Sequence, residues 1–232
     1  MRELNYIDET IEKNENPALR IGSVGRSALS TVYLMDCIEG MKQFPDKIFD
    51  LAVVDPPYGI GAGSINFAIR GKSKQYHKKN DWDTNVPEKA YFDELWRVSK
   101  NQIVWGANYM VEFLKPSMGW IYWDKLNGEF SLSDGELAWT SFNKALRSVK
   151  KNVACERDRY HPTQKPVYLY DWIFKNYANE GDLILDTHLG SQSSRIAANK
   201  AGLDFVGFEI DREYFENGNN RFKNFVSQGV LF

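Results

Sequence analysis

Residues 30–55, STVYLMDCIEGMKQFPDKIFDLAVVD, carry the reading that decides the fold. STVYLMD (30–36) is apolar and β-branched and predicts a strand, CIEGMKQF (37–44) predicts a short helix, and Pro45-Asp46 breaks the chain before a second strand, FDLAVVD (49–55). This is a β-α-β unit. Outward from it the alternation continues, with a helix over 86–100, a strand over 101–106, a helix over 108–114 and a strand over 119–125. GELAWTSF (135–142) follows, then a helix from about Pro166, strand DLILD (182–186), helix SSRIAANKAG (193–202), strand FVGFEI (205–210) and a last helix. Such a pattern predicts an α/β fold with a doubly wound, mainly parallel sheet.

The 232 residues suffice for one such domain, expected over 29–232, with no linker or repeat to divide it. Residues 1–28 are polar and without periodicity, which predicts an arm or a short helix. At 43% apolar and 26% charged, the composition excludes a wholly disordered or collagen-like chain. No run approaches about 18 apolar residues, and the start, MRELNYIDETIEKNENP, lacks a secretory apolar core, so a cytoplasmic protein with no membrane partner is expected. Cys37 and Cys155 stand far apart outside any Cys/His cluster, which argues against a disulfide framework and against a metal site.

The net charge of -2 conceals two basic segments. Residues 70–79 carry Arg70, Lys72, Lys74, Lys78 and Lys79 with no acid, while residues 143–160 include Lys144, Arg147, Lys150 and Lys151. Segregated cations suit a polyanion, because each neutralised phosphate releases condensed counterions. A solvated loop would look the same, so the site chemistry must decide.

In an open α/β sheet, ligands lie at the carboxyl ends of the strands. One strand discharges into DTHLGS (186–191), with Gly190 in the turn, and Glu209 closes the next strand 19 residues after that glycine. A carboxylate so placed can accept from both ribose hydroxyls, whereas the G-x-G-x-x-G that cradles a pyrophosphate is missing. A nucleoside cofactor without phosphate, such as S-adenosylmethionine, fits this layout; an ordinary β-α-β turn fits it too. The other notable strand end is Asp55-Pro56-Pro57-Tyr58. Two prolines fix φ and remove two backbone donors, leaving carbonyl oxygens and the Asp55 carboxylate beside an aromatic ring. Such a cage of acceptors suits an exocyclic amine, whose nitrogen it would favour in a pyramidal, nucleophilic form.

VVDPPYG (53–59), WGANY (105–109), GWIYWDK (119–125), ELAWTSF (136–142), HPTQKP (161–166), DTHLGS (186–191) and FVGFEID (205–211) occur in this order. Together they resemble the β-class amino methyltransferases of DNA, over roughly residues 30–225. The resemblance implies an α/β methyltransferase fold with permuted motif order, S-adenosylmethionine as cofactor, and transfer to adenine N6 or, less often, cytosine N4. Asp as the first residue of D-P-P-Y looks like the adenine branch. It further implies that Asp55 and the carbonyl of Pro56 accept from the target amine, that Pro57 completes the turn, and that Tyr58 stacks on the base. Asp36, His161, Thr163, Lys165, Asp186, Thr187, Gly190, Ser191, Glu209 and Ile210 become the expected cofactor contacts. The family's cofactor loop reads D-P-F-x-G-S-G, so Gln192 replaces its last glycine, and either crowds the ligand or turns away.

A base stacked in duplex DNA must be flipped to reach such a cage, at a cost of a few kcal/mol. Residues 60–85 are expected to be a mobile loop over the DNA, anchored at its far end by Asp81-Trp82-Asp83, and 143–160 a short target-recognition segment. Double-stranded DNA is the expected partner, with a homodimer and a cognate restriction enzyme left open. The competing functions are a cytosine-N4 enzyme and a non-catalytic nucleic-acid-binding relative.

Overall fold

The computed structural model describes residues 7–12, 29–61, 83–127, 133–152 and 164–229. The strands are β1 (Ile7–Glu12), β2 (Leu29–Leu34), β3 (Phe49–Val54), β4 (Ser99–Trp105), β5 (Trp120–Asp124), β6 (Gly135–Thr140), β7 (Arg147–Lys150), β8 (Leu183–Asp186) and β9 (Asp204–Glu209). The helices are α1 (Cys37–Met41), α2 (Lys89–Val98), α3 (Val167–Tyr177), α4 (Ser193–Ala201) and α5 (Arg212–Gly229).

Among the described residues the strands form one sheet in the order β1-β2-β9-β8-β3-β4-β6-β5-β7. All pairs from β1 to β4 are parallel, as is β5 with β7, while β6 runs antiparallel to both β4 and β5. The mainly parallel reading therefore holds, with one reversal that the sequence pattern did not announce. β2, β3 and β9 are almost wholly buried along their length, as expected for strands covered on both faces. On one face Phe92 and Leu95 of α2 join Met41 of α1 in a core with Val54 and Leu185; on the other, Ile173 and Phe174 of α3 and Ala197 of α4 pack on Val53 and Ile184.

From β3 the chain moves to β4 on one side, and from β8 it moves to β9 on the other. The point of reversal lies between β3 and β8, where crossover connections diverge and leave a crevice at the carboxyl ends. Asp55 directly follows β3 and Asp186 ends β8.

Three local readings are corrected. Part of the expected N-terminal arm, Ile7–Glu12, is a strand parallel to β2. The expected helix over 108–114 is two short 3-10 turns, Ala107–Tyr109 and Val111–Phe113, because the chain enters through Gly106 with φ +64 and is interrupted at Met110. The second basic segment is not wholly a loop, since Arg147–Lys150 adds an edge strand to the sheet.

Candidate active site

Parallel strands bring their carboxyl ends to one edge, so β2, β9, β8 and β3 set Asp36, Glu209, Asp186 and Asp55 there in that order. At about 4.8 Å per strand, Glu209 and Asp55 are separated by roughly 10 Å. The reversed hairpin adds to the same edge: β5 ends at Asp124 just before Lys125, and antiparallel β6 begins at Gly135, beside Glu136.

Asp55 Oδ1 accepts from the Tyr58 hydroxyl at 2.6 Å and from Lys165 Nζ at 2.5 Å. Lys165 also donates to the Tyr58 hydroxyl at 2.9 Å and pairs with Glu136 Oε2 at 3.1 Å, and Lys125 holds Glu136 Oε1 at 2.6 Å. Among the described residues no donor reaches Asp55 Oδ2 or the Pro56 carbonyl. Burial raises the Asp55 carboxyl above its ordinary range; Lys165 opposes that rise and Glu136 adds to it. Burial also works against the Glu136 anion, but Lys165 and Lys125 outweigh it and hold that carboxyl down at about 2. For Lys165, burial favours the neutral amine, yet the two carboxylates keep it an ammonium.

The turn itself is tied from below. The buried Asp83 carboxylate accepts from the backbone N–H of Tyr58 at 2.6 Å and of Gly59 at 3.0 Å, and its carbonyl accepts from Gly61. Of the expected anchor Asp81-Trp82-Asp83 only Asp83 is among the described residues; residues 62–82, with Arg70, Lys72, Lys74, Lys78 and Lys79, lie outside them. The Tyr58 ring stacks on Tyr109, centroids 5.4 Å apart and planes at 17°. Gly106 permits this packing twice over: its φ is +64, and a Cβ there would sit 2.1 Å from Tyr58 Cε1.

On the other side of the crevice, Asp186 accepts from His188 N at 3.0 Å and from Ser194 Oγ at 2.5 Å, and burial raises its carboxyl to about 7. Glu209 Oε2 accepts from Gly190 N at 2.8 Å, while Oε1 accepts from Ile210 N and Asp211 N at 2.9 Å each. The turn and the end of β9 are thereby clamped, and Oε2 retains acceptor capacity. Asp36 caps α1 through Oδ1, and Ile210 is 70% exposed beyond it on the same edge. Thr187 Oγ1 bonds to Tyr91 OH at 2.7 Å and to His188 Nδ1 at 2.9 Å, and burial keeps His188 neutral, down to about 4. Ser191 bonds to Ser193.

Gln192 turns away. It adopts φ +56 at the start of α4 and is fully buried, with Nε2 donating to Asn219 Oδ1 at 3.1 Å and Oε1 accepting from Arg195 at 3.0 Å. Its side chain packs over Gly218, not into the Gly190 turn.

Lys165, expected at the cofactor, has its three N–H donors committed to the Asp55 cluster. His161 and Thr163 lie outside the described residues. Along and beside β7, Arg147 and Lys150 are exposed, Lys150 only 4.0 Å from Asp124, whereas Lys144 donates to the Asn176 carbonyl and Lys151 lies over Tyr168. Glu136, Lys125 and Tyr109 were not singled out by sequence. The signal for Lys125 and Glu136 was the hairpin between GWIYWDK and GELAW, whose strand ends carry one basic and one acidic residue, and that for Tyr109 was its place in WGANY. Cys37 remains a thiol, pushed up to about 12 by burial. Among the described residues no His, Cys, Asp or Glu group could hold a metal, and no helix is long and apolar enough to cross a membrane.

A doubly wound sheet with a D-P-P-Y turn and a nucleoside-type edge at its switch point defines an S-adenosylmethionine-dependent methyltransferase. The DNA methylase family model matches residues 64–220, well over half of the chain, and the protein belongs to that family of N6 and N4 amino methyltransferases. It is 26% identical over 234 residues to the Type II methyltransferase M2.DpnII of Streptococcus pneumoniae, covering 80% of this chain and 87% of that protein. Its fold resembles M1.HpyAVI in complex with SAM, at a TM-score of 0.55 and 20% identity over 82% of this chain and 98% of that one. It also resembles the cytosine-N4-specific PvuII DNA methyltransferase, at a TM-score of 0.55 and 13% identity over 87% and 92% of the two chains.

Proposed function

We propose that the protein transfers a methyl group from S-adenosylmethionine to the exocyclic N6 of an adenine flipped out of double-stranded DNA. The observation that carries this reading is the Asp55 corner: Oδ1 is saturated, while Oδ2 and the Pro56 carbonyl remain as two acceptors for the two N–H bonds of an amine. When bound, S-adenosylmethionine supplies an electrophilic methyl on a sulfonium.

The residues along the edge fit that group. Exposed Ile210 offers an apolar face for the adenine ring, Asp36 keeps Oδ2 for its amine, Glu209 Oε2 suits a ribose hydroxyl, and Asp186 with Thr187, Gly190 and Ser191 borders the methionine end. Asp55 and Pro56 would hold the target nitrogen by its two N–H bonds, leaving its lone pair free to accept the methyl group that the bound cofactor would supply. The amine's surplus proton then passes to the Asp55 carboxylate and on to water. Holding the reacting atoms in line is worth up to about 7 to 11 kcal/mol in favourable intramolecular cases. Tyr109 already covers the Tyr58 ring, so a stacking base takes its place or uses the opposite face.

In this reading residues 29–232 act as one methyltransferase domain, with the 60–85 loop and the 143–160 segment facing DNA in the cytoplasm. The Asp of D-P-P-Y favours adenine. Cytosine N4 presents the same two N–H bonds to the same acceptors, and is the competing reading.

The test is incubation of mixed-sequence DNA with methyl-labelled S-adenosylmethionine, followed by nucleoside analysis and mapping. Label in N6-methyldeoxyadenosine is expected. Label in N4-methyldeoxycytidine would transfer the assignment to cytosine, and label in no nucleoside would overturn it.

A further inference from the structure

The ion cluster beneath Asp55 does more than neutralise charge. An ammonium has three N–H donors, and those of Lys165 meet Asp55 Oδ1 at 2.5 Å, the Tyr58 hydroxyl at 2.9 Å and Glu136 Oε2 at 3.1 Å. Two of the three acceptors lie on the D-P-P-Y turn. The third, Glu136, comes from β6 and is itself fixed through Oε1 by Lys125, at 2.6 Å. Take Glu136 away and Asp55 is the sole carboxylate left to Lys165, which can then swing across both of its oxygens.

We propose that Glu136, braced by Lys125, is a positioning residue for methyl transfer: it holds the Lys165 ammonium on Asp55 Oδ1, so that Oδ2 alone is offered to the incoming amine. The inference rests on the reading of Asp55 as the amine's acceptor. The reversed direction of β6 makes this contact possible, since an antiparallel strand starts, with Glu136, at the edge where β3 ends.

The cluster is formally neutral, two carboxylates against two ammoniums, and its members are no more than 23% exposed. In such surroundings a single uncompensated charge acts strongly on its neighbours. The groups facing Asp55 are Lys165 ahead of α3, Tyr58 on its own turn, Glu136 on β6, Asp186 at the end of β8 and Tyr91 of α2, with Lys125 behind Glu136.

The sign of the charge left behind separates this role from a merely structural one. Glu136→Gln leaves the cluster at +1, Lys125→Met leaves it at -1, and the double variant restores neutrality. Followed by carbon-13 NMR of the carboxyl in the DNA-free protein, the Asp55 titration is expected to move to lower pH in Glu136→Gln and to higher pH in Lys125→Met. The double variant should return near the starting value, and the acid limb of kcat should follow the same signs. Glu136→Gln should also reduce kcat about 10- to 100-fold, as for loss of a charge-assisted contact, with KM for S-adenosylmethionine within twofold.

Equal direction of shift in both single variants, or an unchanged kcat in Glu136→Gln, would overturn the inference. If one variant does not fold, the sign in the other still decides. A fully active Asp55→Asn would overturn the parent reading and this inference with it, whereas failure of the Glu136 arm alone leaves the role of Asp55 standing.

Discussion

Asp55 is the residue on which the chemistry turns, and its two oxygens have different duties. Oδ1 is engaged by Tyr58 and Lys165, and in the proposed reading Oδ2 is left for substrate. Asp55→Ala should therefore reduce methyl transfer at least about 100-fold, the loss of more than one strong hydrogen bond, while S-adenosylmethionine binding by calorimetry stays within about threefold. Parallel loss of both would make Asp55 a structural residue. The D-P-P-Y cage was legible because two prolines and a terminal carboxylate restrict the backbone by themselves. The role of Lys165 was not legible: three committed donors depend on Glu136, which lies 29 residues earlier and across the hairpin.

At the scale of elements, the turn between β8 and α4 shows how a departure from the family pattern is accommodated. A residue at φ +56 without the freedom of glycine costs about 1 to 2 kcal/mol, and Gln192 offsets this through Arg195 and Asn219. Gln192→Ala keeps the strain and loses the network, so chemical denaturation should show about 1 to 3 kcal/mol less stability. Gln192→Gly should lose less, and neither should change S-adenosylmethionine affinity more than about twofold, because the side chain faces α5. A large affinity change would mean that Gln192 borders the ligand after all. The substitution itself was plain in the sequence; the direction of the side chain was not, because Asn219, which it reaches, comes from another helix.

Asp186 gives the same turn a pH dependence. Burial raises its carboxyl to about 7, so between the ordinary value of 3.8 and 7 the unfolded chain releases a proton that the folded one retains. This contribution to stability is complete at low pH and is lost as pH rises through that window. Asp186→Asn lacks it, and denaturation between pH 4 and 8 should show the variant gaining on the parent protein up to about pH 7 and no further. A constant difference would contradict the buried, protonated state.

For the whole molecule, strand order explains why residues from distant stretches meet. Apolar runs and helical spacing predicted the parallel core from β2 to β4 and from β8 to β9, and the reversal between β3 and β8 put both D-P-P-Y and the Gly190 turn at one crevice. The sequence was silent on β1 and on the direction of β6, since pairing partners and strand sense are tertiary properties that local periodicity does not encode. Charge segregation was readable, yet the structure divides the cations: Lys144 and Lys151 are engaged with carbonyl or ring partners, while Arg147 and Lys150 stand on the exposed edge. Replacing those two by alanine should reduce the slope of log affinity for DNA against log salt by about 2, roughly 0.9 per phosphate contact. An unchanged slope would place the DNA elsewhere.

The central claim is tested most directly by the structure of a ternary complex with a non-reactive S-adenosylmethionine analogue and a duplex bearing the mapped target base. The expected result is an extrahelical base whose exocyclic nitrogen lies within hydrogen-bond distance of Asp55 Oδ2 and the Pro56 carbonyl, facing the position of the donor methyl. A base stacked in the helix, or an amine turned away from Asp55, would contradict it.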